Sequence, residues 1–192
     1  MKHVAIVGLA LIPVVFYITA LSTDSWMISS GIATNAFSTP QYQANYGIFY
    51  SSFVVGAGAS YQTSSETGCF GAQMTGTTCD KLKVCEAFTI MALVLVGGAL
   101  WLCLMNKGML AASLFAVSGI FGLIGWIVWY AGIQKNSQFS EQLSFVGSTD
   151  SGYSIGYSQA LDIGAWAVSL LLAPMAYRYV AMQTKMPSVS LL

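Results

Sequence analysis

Charge is what this sequence has least of. Of its 192 residues only 7% are Asp, Glu, Lys or Arg, against 56% hydrophobic. A water-soluble domain carries about a quarter charged residues, so most of this chain is not built to face water. Seven basic and seven acidic residues cancel, and no Lys/Arg cluster offers a footprint for nucleic acid. Histidine is nearly absent: His3 stands alone near the start. That excludes a His-based catalytic dyad and a His-containing zinc set. There is no C-x-x-C redox pair, no H-E-x-x-H, no Ser-His-Asp set, no acidic metal cluster and no N-x-S/T sequon in the segments between the apolar runs. The expectation is a non-enzymatic protein with no cofactor and no metal.

What the chain has is long apolar runs. A bilayer span needs about 20 apolar residues, and four segments qualify: 4–21, 87–105, 109–132 and 160–182. The first also fits a signal peptide, with Lys2 ahead of it, but it is longer than an ordinary apolar signal core and no A-x-A pattern follows. Four spans place both termini on one side, together with Lys2, Lys107, Arg178 and Lys185 and no acid. The other side holds Lys81, Lys83 and Lys135 with all seven acids. Counting basic residues next to the membrane, above all Lys107 in the three-residue link 106–108, puts both termini in the cytoplasm. The expected architecture is a single four-helix membrane domain over 1–192, with external segments at 22–86 and 133–159.

The external segments carry strand signals. The run Tyr46 to Val55, YGIFYSSFVV, is aromatic and β-branched. Further strands are expected at 26–30, around 68–73 and across 77–82, together a small antiparallel sheet resting on the helices. Tyr46, Ile48, Phe49, Tyr50, Phe53 and Val54 would then form an exposed apolar surface that wants a partner. Three cysteines, Cys69, Cys79 and Cys85, fall within 17 positions. Their spacings do not suit zinc, which takes ligand pairs two to four apart. Facing outward, where disulfides survive, Cys69 and Cys79 suit two short strands stapled together, and a Cys79–Cys85 bridge stays open. Cys85 otherwise reads as a free buried thiol, and Cys103 as a small apolar residue within the second span.

Charges inside the spans would mark a transport pathway. Asp162 and Arg178 are expected at opposite mouths of the fourth span, both reaching water. Gly97, Gly98, Gly119, Gly122 and Gly125 should let helices approach closely. Trp126, Trp129 and Tyr130 read as an interfacial belt, and Pro13 and Pro174 as bends. The final Ser190-Leu191-Leu192 has the Ser-x-apolar shape, with Ser190 and Leu192 as its two read positions, that strand-adding PDZ grooves take up.

With Trp26, the cysteine pair and four spans in place, the chain resembles the claudin superfamily: claudins, peripheral-myelin and epithelial membrane proteins, and channel and receptor gamma subunits. S-T-D-S-W-M at 22–27 is similar to the family's exit from its first helix, with Trp26 as the signature residue. C-E-A-F-T-I-M-A at 85–92, S-G-I-F-G-L-I-G at 118–125 and I-G-Y-S-Q-A-L-D-I-G-A-W at 155–166 resemble its second, third and fourth helices. No G-L-W precedes Cys69; S-E-T-G stands there, and the stretch from Trp26 to Cys69 is longer than in claudins. Amastins share the plan. The resemblance implies a Cys69–Cys79 disulfide and a multi-pass plasma-membrane protein acting in adhesion or barrier formation. Its implied partners are lipid, copies of itself in cis and trans, or a larger membrane protein such as a channel that it would serve as an auxiliary subunit.

Overall fold

The computed structural model describes residues 2–32, 41–55, 59–64, 77–134 and 153–185. Four helices dominate: α1 (Lys2–Ser22), α2 (Thr77–Leu104), α3 (Gly108–Trp129) and α4 (Tyr157–Lys185). α3 ends in a turn of π-helix over Tyr130–Gln134. The helices form a ring in which α1 packs on α2, α2 on α3, α3 on α4 and α4 on α1, while α2 and α4 scarcely meet across the diagonal. Three of them are long and apolar enough to cross a membrane: Cys79–Leu104, Gly108–Ile133 and Tyr157–Arg178. The apolar part of α1 described here, Ile6–Ser22, is shorter.

The ring follows from a repeat written in the sequence. Along α2 the buried residues are Leu82, Cys85, Thr89, Ala92, Val96, Ala99 and Cys103, an alternation of three and four. α4 buries Ser158, Asp162, Ala165, Ser169, Leu172 and Ala176 on the same alternation. This is the seam of helices crossing at a shallow angle. Small residues dominate it, as membrane helices require when dispersion and close approach replace hydrophobic drive. Large apolar side chains point outward instead: Val94, Trp101 and Leu171 are each about two-thirds exposed.

The same repeat corrects the expected strand across 77–82. Those residues open α2, ten residues before the apolar run from Ala87 that marks it in the sequence. Asp80 sits in the first turn, where a negative charge complements the exposed N–H groups. At its other end α2 stops at Asn106, whose φ of 58° is left-handed. The Asn106 N–H donates to Cys103 O (3.1 Å) and the Lys107 N–H to Leu102 O (2.9 Å). These are the two bonds of a Schellman stop, and they explain how a three-residue link reverses the chain.

Among the described residues five strands form one antiparallel sheet in the order β4-β3-β2-β1-β5. They are β1 (Met27–Ile32), β2 (Gln41–Tyr46), β3 (Tyr50–Val55), β4 (Ala59–Ser64) and β5 (Tyr153–Ile155). The run 46–55 is therefore not one strand. β2 ends at Tyr46, β3 starts at Tyr50, and Gly47-Ile48-Phe49 turns between them. Tyr46 pairs with both Met27 and Ser51. β5 comes from the second inter-helix segment and pairs with β1, so both segments build one sheet. The strand expected around 68–73 lies outside the described residues.

The five glycines divide. A methyl group on Gly119 would come within 2.6 Å of Leu170, and one on Gly122 would overlap the Tyr17 hydroxyl. One on Gly125 would stand 3.1 Å from Thr89 Oγ1, and one on Gly98 3.3 Å from Leu114. Gly97 has open space around it, so it plays no part in closing the bundle, contrary to expectation. Gly122→Ala should destabilise the detergent-solubilised protein by about 1–3 kcal/mol through overpacking. Gly97→Ala should leave the melting temperature unchanged or slightly raised.

Candidate functional site

Trp26 joins the sheet to the helices. It follows α1 by four residues and is fully buried. Its indole N–H donates to Ala20 O at 2.7 Å, satisfying a carbonyl in the last turn of α1 that has no helical partner to spare. Its own N–H donates to Tyr46 O (2.9 Å), and its carbonyl accepts from the Gly156 N–H (3.0 Å). Its ring lies on Trp129 of α3, centroids 5.1 Å apart and tilted 56°. One residue thus ties α1, β2, α3 and the entry to α4. Ser25 extends the tie: its carbonyl accepts from the Ser158 N–H (3.0 Å), and its N–H donates to Ser158 Oγ (3.2 Å). A Cβ on Gly156 would collide with the Ser25 carbonyl, which explains glycine at this crossing.

Several expected site residues change role here. Tyr46 and Ile48 are buried at 1% and 0% exposure. They pack with Trp26, Leu82, Cys85, Trp129 and Ile133 in a core between sheet and helices, and Phe49 rests against it. They cannot be a docking surface, because that core is what seats the sheet. Tyr50, Phe53 and Val54 lie on β3. There Phe53 is paired with Ala44 and Tyr61, and Val54 with Gln43 and Ser60. Trp129 is fully buried and is no interfacial residue. Trp126 stacks on Tyr130 at 5.5 Å and 11°. In the amide orientation that satisfies both neighbours, buried Gln159 accepts from Trp126 Nε1 (3.2 Å) and donates to Trp26 O (3.0 Å).

Cys79 opens α2 rather than ending a strand, and it is disulfide-bonded. Cys85 and Cys103 are buried and in no disulfide, so a Cys79–Cys85 bridge is excluded. Cys69 lies outside the described residues, as do Ser190 and Leu192.

The largest departure is Asp162. It is fully buried, not at a wet helix mouth, and neither carboxylate oxygen has a hydrogen-bond partner among the described residues. The Tyr17 hydroxyl of α1 reaches Gly122 beside Trp166, one turn along α4 from Asp162, and lies within electrostatic reach of the carboxylate. Arg178, by contrast, is exposed as expected. Asp162 was readable as a seam residue: it stands four after Ser158 and three before Ala165, in step with the buried stripe of α4. Among the described residues no group of three or more His, Cys, Asp or Glu converges to hold a metal.

Trp26→Phe keeps the ring and removes the donor to Ala20. Leaving that carbonyl unsatisfied should cost about 1–3 kcal/mol in unfolding experiments, and Trp26→Ala about 3–5 kcal/mol. A Trp26→Phe protein as stable as wild type would show that the indole bond does not hold the junction.

No known family model matches this chain, and no curated protein matches it.

Proposed function

We propose that this chain is a claudin-like, non-enzymatic plasma-membrane protein that acts in cell-cell adhesion or barrier assembly through its sheet. Both termini are cytoplasmic and the sheet faces outward. α1 serves as the fourth span, because it is packed between α2 and α4 along a buried seam of its own, Ala10, Pro13, Tyr17 and Ala20. Lys107, in the tight turn at the end opposite the sheet, is consistent with a cytoplasmic face there.

The observation that carries this reading is the sheet itself. Strands from both inter-helix segments join in one layer, fixed to the bundle by Trp26 and the Ser25–Ser158 bonds. A rigid platform at the end of a bundle is suited to meeting another protein. A free loop would lose more conformational freedom on binding. The surface offered is the β3–β4 side, with Tyr46 and Ile48 removed from it.

A second reading, an auxiliary subunit of a larger membrane protein, is favoured by Gly97. With Val94 and Trp101 it marks an outward face of α2 with open space at its centre, a shape that a small-residue helix contact would use.

Fluorescently tagged protein in cells without junctions separates the two. Enrichment at borders between two expressing cells, and not at borders with non-expressing cells, is the expected outcome. Uniform surface staining, with a stoichiometric channel recovered after mild detergent extraction, favours the second reading and rejects the first. The partner of Cys79 in this reading is Cys69, so non-reducing peptide mapping should recover a Cys69–Cys79 linked peptide; a free Cys69 thiol would remove the main local tie to claudins.

A further inference from the structure

We propose that Asp162 holds a site for a single hard monovalent cation, a proton or a sodium ion, in the sheet-end half of the helix bundle. The inference rests on the membrane reading of the helices and not on adhesion. A carboxylate without a partner does not persist in an apolar interior; it is neutralised by a proton, by an ion or by a basic side chain. The last is ruled out among the described residues, where Asp162 makes neither a hydrogen bond nor an ion pair. One carboxylate calls for one positive charge. A divalent ion would want further acidic ligands, and none converge among the described residues.

The surroundings fit a small hydrated occupant. Tyr17 from α1 and Cys85 from α2 lie within electrostatic reach of Asp162. The buried residues of the sheet-end half of α3, Gly122, Gly125 and Trp129, do not titrate. The Tyr17 hydroxyl is buried and unsatisfied, as are the Trp129 and Trp166 indole N–H groups. Ser118 and Ser169 stand beside the Tyr17 hydroxyl, and because their own hydroxyls donate to Ala92 O and Ala165 O at 2.8 Å each, they offer it acceptors and no donor, which leaves the Tyr17 oxygen's lone pairs open. Buried donors and a buried acceptor, unpaired within one bundle, are the pattern that internal water resolves. The Tyr17 oxygen is a natural second ligand for the ion.

There is also a way in. Asp162 follows Ser158 by one helical turn on the same face of α4. Ser158 Oγ shares a 2.6 Å hydrogen bond with Thr23 Oγ1, and Thr23 is only partly buried. Two hydroxyls therefore lead from the sheet-end surface to the turn above the carboxylate.

The test uses the full chain in lipid nanodiscs. Thermal melting is followed in sodium chloride and in choline chloride at equal ionic strength, across a pH series. In parallel, dicyclohexylcarbodiimide, which couples to protonated carboxyls in apolar surroundings, is mapped by mass spectrometry. Sodium raising the melting temperature and protecting Asp162 from labelling supports a sodium site. Asp162 labelling that follows pH and not sodium supports a proton site. In either case Asp162→Asn should lose the part of the sodium or pH response that wild type owes to this carboxyl, and Tyr17→Phe, which keeps the carboxyl, should weaken the sodium effect several-fold or shift the pH profile of labelling. Asp162 labelling that responds to neither sodium nor pH overturns the proposal, whether or not Asp162→Asn folds.

Discussion

The junction between sheet and helices depends on one side chain in one place. Trp26 has to be buried, and its indole N–H has to find a carbonyl. The end of α1 offers one at Ala20, and accepting it fixes how the chain leaves the helix. Once Trp26 is fixed, its backbone N–H and C=O are aimed at Tyr46 and Gly156, so β1 is placed between β2 and β5 before any strand-strand pairing is considered. The face of Trp129 then sets where α3 must end. The π-helical turn after Trp129 follows from the same crowding: it brings Ile133 into the Trp26 core and Gly132 under the stem of Lys81.

Below that junction the bundle is held by small residues rather than large ones. Gly119 is closed by Leu170, Gly122 by Tyr17 and Trp166, Gly125 by Thr89. Three glycines on one helix thus receive side chains from the other three: α4 and α2 beside it and α1 across the diagonal. Close approach and internal polarity meet here: Thr89, Ser118, Asp162 and Ser169 are all buried along the seams of this bundle.

Much of this was legible in the sequence, and the misses have physical reasons. The helices could be read because apolar composition sustained over 20 residues has few alternatives. Unbroken apolarity does not show the start of α2, because the helix is defined by a stripe; Leu82 and Cys85 are in register with Ala92 and Val96 although Lys81, Lys83 and Glu86 interrupt them. The aromatic run at 46–55 signalled strand correctly at Tyr50–Val55 but hid a turn, because Gly47 is followed by Ile48, an apolar residue that plugs the core instead of facing water. β5 is three residues long and pairs only through β1, so no local pattern announces it. Asp162 was assigned by type rather than by phase: a carboxyl near a helix end is ordinarily wet, and only its place in the α4 stripe says otherwise.

The central claim is that sheet and bundle form one mechanical unit through Trp26. Hydrogen exchange measured amide by amide in wild type and in Trp26→Phe tests it most directly. The account predicts that β1, the end of β2 and β5 lose protection together, along with the Gly156 and Ser158 amides, while α3 below Trp129 keeps its own. Unchanged protection across the sheet, or loss confined to residue 26, would contradict it and would mean that the strands are held by their own pairing alone.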